Sequence, residues 1–165
     1  RVIITAVCAL GLAGALPAQQ GPGNLPAKKP ATEGQVWGAL VYASAEGSGN
    51  KEAPRPPKGM EDLSERLGKV FEFSHFEILG QHTQDIFREY ESWLVPSRDL
   101  FLKVDSKGPA PGGGLKLNLQ FWQDQKVLVK TDAVLKAESP LFIGGPKWRE
   151  GRLIFVLQLV GGGVK

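Results

Sequence analysis

Alternation of apolar and polar residues with a period of two dominates the chain beyond residue 34. Leu100–Val104 and Leu115–Trp122 alternate cleanly, which predicts two half-exposed antiparallel strands joined by a loop rich in Gly and Pro. Gln35–Ala43 and Leu153–Leu157 are apolar on both faces and therefore predict buried strands. Lys126–Leu135 follows the second alternating strand after a short turn, so it predicts a further strand beside it.

Two segments between these strands are less regular. Phe71–Phe73 alternates, but Phe76 and Ile78 are shifted by one position, so we expect a β-bulge near Ser74-His75 that returns all four apolar residues to the core. Ile86–Leu94 suggests another strand with weaker alternation. The runs Gly112–Gly114 and Gly144–Pro146 are expected to form turns only, because neither opens a helix that could bind phosphate.

One segment has the apolar spacing of a helix. Met60, Leu63, Leu67 and Val70 recur at intervals of three and four residues, and charged residues fill the positions between them. Oppositely charged side chains four residues apart add support. The spacing predicts a short amphipathic helix over Met60–Lys69.

Together these elements predict the fold class. Strands at regular spacing with Gly-rich turns are typical of a mainly β protein of the α+β class, an antiparallel β-sandwich or open barrel. We expect about six to eight strands, with one short amphipathic helix covering an edge or end of the sheet.

The first residues have the pattern of an export signal. A single Arg1 precedes an uncharged apolar run that ends in small residues, and the run is too short to span a bilayer comfortably. Residues 1–18 are therefore predicted to be a signal peptide cleaved after Ala18, with Ala15 as the alternative. A lipoprotein signal acylated at Cys8 is a further alternative. Export to the periplasm or the extracellular space follows, with no membrane span after cleavage.

Gly and Pro mark the domain boundaries. Residues 19–33 and 44–59 are rich in both and bury little, so they predict a disordered linker and a mobile loop. A single β-rich domain is expected over residues 34–160, and residues 161–165 are expected to be a flexible tail.

Composition and charge narrow the range of partners. The 20 basic and 17 acidic residues are interleaved, so no surface for nucleic acid is predicted. The one Cys lies in the predicted signal, and an exported domain without cysteine suits a bacterial envelope. The sequence carries no motif for a nucleotide, a zinc protease or a serine hydrolase, and no cofactor is predicted.

His75, His82 and Asp85 form the only group in the sequence that suggests a metal or acid–base site. The spacing His82-x-x-Asp85 supplies two ligands, and a third would have to come from folding. A metal-assisted hydrolase is therefore one hypothesis, set against two solvated surface histidines.

The tryptophans suggest a binding surface. Trp37 lies in a run that is apolar on both faces and is expected in the core, whereas Trp122 falls at a polar position of its strand and Trp148 lies in an expected loop. Exposed indoles stack on sugars or anchor protein partners. We therefore consider Trp122 and Trp148, with Trp93, as ligand-binding residues.

The segments Leu100–Val104, Leu115–Leu119, Pro140–Pro146 and Gly151–Leu157 share one strand pattern. With the helix and Phe71–Phe73, they resemble small exported bacterial proteins of unknown function that carry one β-rich domain, over residues 60–160. The resemblance implies the fold and the compartment and assigns no catalytic residue. The sequence thus predicts a non-catalytic binding or assembly module of the envelope, with a carbohydrate-binding domain as the alternative. An envelope protein or a polysaccharide is the expected partner, and the oligomeric state is left open.

Overall fold

The computed structural model describes residues 31–47, 49–50, 52–88 and 90–161. These residues form eight strands and one short helix. In chain order the elements are β1 (Thr32–Ser44), α1 (Leu63–Gly68), β2 (His75–Phe87), β3 (Ser92–Leu94), β4 (Leu100–Pro109), β5 (Leu115–Gln123), β6 (Lys126–Leu135), β7 (Leu141–Trp148) and β8 (Gly151–Gly161).

The strands form two four-stranded sheets. Sheet A has the order β2-β1-β8-β7 and sheet B has the order β3-β4-β5-β6, and every neighbouring pair is antiparallel. The two sheets pack on a shared apolar core. The predicted mainly β fold, with strands in antiparallel sheets and one short helix, is confirmed.

The core between the sheets follows from the alternation in β4 and β5. Leu102 and Val104 point inward from β4, and Leu117 and Leu119 do the same from β5, with at most 1% of each residue exposed. Each such side chain contributes about 1.5–3 kcal/mol through its removal from water. The ring of Phe121 meets Phe155 of sheet A edge-on, with centroids 4.1 Å apart, which joins the two sheets at the centre.

The outer face of sheet A is covered by its own chain. Trp37, Ala39 and Val41 point away from sheet B into a second apolar cluster, and Leu63 and Leu67 of α1 pack on them. We call residues 52–74 the covering segment. It explains why β1 is apolar on both faces: one face belongs to the core and the other lies beneath α1.

The structure corrects the predicted boundaries around α1. The helix covers only Leu63–Gly68, because the residues before it form turns in which the Met60 amide bonds to the Pro57 carbonyl oxygen. Phe71 and Phe73 are not in a strand, although both pack against the cluster beneath α1.

The bulge of β2 also lies elsewhere than predicted. It falls at Leu79, because Leu40 pairs with Gly80 whereas Val41 pairs with Ile78. The predicted position at Ser74-His75 is wrong because β2 begins only at His75. The weak strand expected over Ile86–Leu94 is two elements, the end of β2 and the short β3.

Other corrections concern glycines and the domain start. Gly144, Gly145 and Pro146 lie inside β7, where a β-carbon at Gly145 would be 2.9 Å from the Leu153 carbonyl oxygen. The run is therefore part of a strand that approaches its neighbour closely rather than a turn. Trp148, expected in a loop, is the last residue of the same strand.

β1 begins before the predicted start of the domain. Glu33 was assigned to the linker, but its side chain is buried and forms an ion pair with Arg88. It also accepts a hydrogen bond from the hydroxyl of Ser106, which in turn accepts one from the Gly108 amide at 3.1 Å. Burial of a carboxylate requires such partners, and here they connect the start of sheet A to β4 of sheet B.

The predicted signal peptide of residues 1–18, with Cys8 and the cleavage sites, lies outside the described residues, as do most of the linker and the end of the tail. Within the described ranges no helix is long and apolar enough to cross a membrane.

Candidate functional site

The outer face of sheet B differs from that of sheet A. Strand alternation that directs Leu102 inward directs Phe101 and Lys103 outward, and neither apolar cluster of the described residues extends over this face. On β3, β4 and β5 its exposed or half-buried side chains are those of Trp93, Phe101, Lys103, Asp105, Lys116, Asn118, Gln120 and Trp122, and β6 adds Val127, Lys130, Asp132 and Val134. This face is the candidate site.

Three aromatic rings meet at one end of the face. Phe101 and Trp122 are direct cross-strand partners, with ring centroids 6.4 Å apart and planes within 10° of parallel. Trp93 of β3 is tilted against both, at 5.6 Å from Phe101 and 6.1 Å from Trp122. We call these three residues the aromatic cluster. Each ring is half-buried, so the cluster presents an apolar surface to its surroundings.

The indole N–H of Trp122 is unusual within this cluster. The Nε1 atom is buried and donates to no acceptor among the described residues. Buried polar atoms nearly always have a hydrogen-bond partner, and the indole can only donate. The cluster therefore combines an apolar surface with one donor that lacks an acceptor in the described structure.

Lys103 lies beside the rings and carries the main charge at this end. Its ammonium group contacts the carboxylates of Glu91 and Asp105, and 16% of its side chain is exposed. The hydrogen bond to Glu91, followed by the one to Asp105, raises the pKa of Lys103 above its usual value despite opposing desolvation. The group therefore stays protonated at neutral pH and its charge is compensated locally.

Amide side chains continue the face away from the rings. Gln120 lies opposite Lys103, and Asn118 lies between Asp105 of β4 and Asp132 of β6. The Asn118 Nδ2 donates to Asp132 Oδ1 at 2.7 Å. The face thus grades from aromatic rings to hydrogen-bonding amides.

Comparison with known proteins assigns no function to this face. The chain matches no protein-family model, no curated protein and no solved structure. The function therefore has to be inferred from the side chains themselves.

The structure brings together two of the three predicted tryptophans. Trp93 and Trp122 share the aromatic cluster, but Trp148 belongs to sheet A. Its ring packs edge-on against Tyr42 with centroids 5.0 Å apart, and the guanidinium of Arg149 lies 4.1 Å from its centroid. Trp148 therefore closes the margin of the core instead of joining Trp122.

Phe101 is the member of the cluster that the sequence reasoning missed. Its strand was predicted with Phe101 at an outward position, beside Lys103. Phe101 is an aromatic residue at a polar position of a half-exposed strand. The same feature made Trp122 a candidate, so it could also have identified Phe101.

The histidines and Asp85 occupy separate places along β2. His75 pairs with Ser44 at the start of the strand, while His82 lies further along and accepts the Val95 amide at Nδ1, at 3.1 Å. Asp85 accepts a hydrogen bond from Gln35 at 3.0 Å. Strand residues three positions apart face opposite sides, so His82 and Asp85 do not converge. The residues described contain no group of three potential metal ligands.

His75 instead borders a cleft beside the covering segment. The cleft has a volume of about 490 Å³, and its wall includes Val41 of β1 together with Leu63 and Leu67 of α1. Glu77 at the same cleft accepts a hydrogen bond from Asn50 Nδ2 at 2.8 Å. Its size is in the range of small-molecule sites, but its apolar wall is also the packing surface of α1.

Proposed function

We propose that this protein is an exported, non-catalytic binding module of a bacterial envelope that holds its ligand on the outer face of sheet B. One observation carries the proposal: sheet A is covered by residues 52–74, whereas sheet B carries a half-exposed aromatic cluster on the equivalent face. The apolar run that follows Arg1 supports export.

A neutral glycan is the ligand that this face suits best. Aromatic rings pack against the carbon-bound hydrogens of a sugar, and the half-buried rings of Trp93, Phe101 and Trp122 supply such a surface. Gln120 and Asn118 extend the face with amides that donate and accept. Glu91 and Asp105 compensate the charge of Lys103, so the ammonium group beside the rings does not by itself favour an ionic ligand.

The protonated state of Lys103 also favours binding over catalysis. A lysine that acts as a base or nucleophile needs a lowered pKa, whereas its ion pairs raise the pKa of Lys103. Its contacts with Glu91 and Asp105 fix the ammonium group in place beside the rings, so this part of the binding surface is already ordered before a ligand arrives.

Affinity electrophoresis of the full chain tests this proposal. Native gels would contain one neutral polysaccharide each: hydroxyethyl cellulose, xylan or glucomannan. We expect at least one of them to retard the protein, and Trp122→Ala to weaken that binding about tenfold or more, as loss of a central aromatic anchor does. The matched control is Val70→Ala, which removes an exposed apolar side chain (61% exposed) next to α1. Thermal unfolding would check that both variants fold.

Two results would contradict the glycan proposal. The protein could migrate unretarded in every gel, or Trp122→Ala could bind as well as the unchanged chain. The second candidate, assembly with an envelope protein, rests on the same aromatic cluster, because aromatic side chains are enriched at interface hot spots. It would be favoured if Trp122→Ala abolished a crosslink to one envelope protein while no polysaccharide bound.

A further inference from the structure

Strand β6 forms one margin of sheet B and pairs on one side only. Within the described ranges, its sole strand partner is β5. It is ten residues long, and Val127, Val129 and Val134 are 39%, 38% and 48% exposed. A long edge strand with exposed valines is a template for pairing with another strand.

Two charged residues at the centre of β6, Lys130 and Asp132, are arranged for pairing of this strand with itself. We propose that β6 pairs antiparallel with β6 of a second copy of this chain, with Thr131 on the two-fold axis. In that register Lys130 of each copy lies opposite Asp132 of the other. Opposite charges in direct cross-strand positions are favourable, and the two-fold axis produces the contact twice.

Side-chain direction supports this register. Lys130 lies opposite Gln120 and Asp132 lies opposite Asn118, so both charges belong to the outer face of sheet B. Thr131 lies opposite the buried Leu119 and faces the other way. Antiparallel partners share a face, so the charge pairs of the dimer lie on one side and the paired threonines on the other.

The neighbouring registers are unfavourable. A shift of one residue would place outward side chains of one copy against inward side chains of the other. The next shift in either direction would place Lys130 against Lys130 of the second copy, or Asp132 against Asp132. Like charges directly opposite each other destabilise a pair, so this sequence favours one closed dimer over open-ended strand addition.

Asp132 is held in position for this contact. Its Oδ1 accepts the 2.7 Å hydrogen bond from Asn118 on the neighbouring strand, which orients the carboxylate on the outer face. A carboxylate can accept several hydrogen bonds, so the contact with Asn118 leaves acceptor capacity for an ammonium group. The dimer would join the two four-stranded sheets B into one continuous sheet. This inference does not depend on the ligand proposed for the aromatic cluster.

Disulfide trapping tests the register. Thr131→Cys is introduced into the full chain together with Cys8→Ser, which removes the only native thiol. Residues that face each other across an antiparallel pair have Cα atoms about 4.5–5.5 Å apart, within the range that a disulfide bridges. We expect mild oxidation to give a covalent dimer at Thr131→Cys and none at the control Lys116→Cys, which is on the same sheet but on the inner strand β5.

Charge exchange tests the contact itself. Sedimentation or light scattering of the unchanged chain should show a species of twice the 17.8 kDa chain mass at high concentration. Lys130→Glu should weaken this association about tenfold, because it places two acidic side chains opposite each other at both contacts. Adding Asp132→Lys to Lys130→Glu should restore it, and Lys116→Glu should leave it unchanged.

Each result decides the proposal. Rescue by the charge exchange together with trapping at Thr131→Cys supports it. The proposal is overturned if the chain stays monomeric at all concentrations, or if Lys130→Glu leaves the dimer affinity unchanged. Circular dichroism would show that each variant keeps its strands, so that loss of the dimer is not loss of the fold.

Discussion

Gly80 occupies the closest backbone approach between β2 and the segment that leads out of β3. A β-carbon built at Gly80 would lie 1.8 Å from the carbonyl oxygen of Pro96, far inside any real contact. Replacement by Ala therefore requires the two backbones to move apart by more than 1 Å. We expect Gly80→Ala to destabilise the fold strongly.

The loss of stability in Gly80→Ala depends on how firmly β2 and the segment after β3 are held in place. β2 is bonded to β1 around the bulge at Leu79, and the segment after β3 is bonded to β2 by the amide of Val95 and His82 Nδ1. Overpacking of a rigid site costs about 1–3 kcal/mol. Because backbone opposes backbone here, we expect the upper end of this range, about 3 kcal/mol. The smaller entropy of the unfolded Ala chain offsets about 0.4–1 kcal/mol of it.

The assay is thermal unfolding of the full chain, followed by circular dichroism. A net loss of about 2–3 kcal/mol lowers the Tm of a chain of this length by roughly 4–12 °C. The matched control is Gly144→Ala, also in a strand of sheet A, where the added carbon would lie 3.7 Å from the Phe71 ring. If the two variants unfold within about 2 °C of each other, the backbone at Gly80 does not lie as close to Pro96 as described.

Two further predictions concern the two outer faces. Leu67→Ala, which truncates a fully buried residue of α1, should cost about 2–5 kcal/mol in urea unfolding, while Leu79→Ala at the 37% exposed bulge should cost much less; equal losses would show that α1 does not pack on sheet A as described. Lys103→Met should lower the Tm at pH 8. Because the contacts with Glu91 and Asp105 raise the pKa of Lys103 above 10.5, its contribution is complete below about pH 10.5 and is lost as the pH rises through the higher folded-state value. The difference in Tm from the unchanged chain should therefore narrow as the pH rises beyond 10.5, and a constant difference would mean that the ion pairs contribute nothing.

The strands of the fold could be predicted because the spacing of apolar residues shows which faces are buried. β4 and β5 alternate so regularly that their inner residues, including Leu102 and Leu119, are identified by position alone. β1 was expected to be buried on both faces for the same reason. The partner that buries its second face could not be predicted, since apolar periodicity shows that a face is covered and does not show what covers it.

The boundaries failed where tertiary contact overrides local pattern. Phe71 and Phe73 alternate like residues of a strand, yet they pack against the apolar cluster on the outer face of sheet A without belonging to any strand. Gly144 and Gly145 look like a turn, yet both lie inside β7, and Gly145 approaches β8 closely. Glu33 ends a segment with the composition of a linker, and its burial depends on Arg88 and Ser106, which are distant in the sequence.

The candidate site was predicted in part for a related reason. That Trp122 faces outward follows from the register of its own strand, but its neighbours depend on which strands pair and in which register. Trp93 reaches it because β3 pairs with β4, and Trp148 does not because β7 joins the other sheet. The spacing of residues along the sequence does not show which strands pair or which sheet each strand joins.

The two proposals concern the same face of sheet B and would reinforce each other if both hold. A two-fold axis through Thr131 runs perpendicular to the sheet, because the paired strands continue one surface, so both aromatic clusters would lie on the same side. A long glycan could then contact both clusters, and the second contact would be intramolecular, which raises apparent affinity without any new interaction. By mass action the same long ligand would favour the dimer. A short oligosaccharide that fills one cluster would bind monomer and dimer alike and would leave the association unchanged, so ligand length separates the contribution of the aromatic cluster from that of β6.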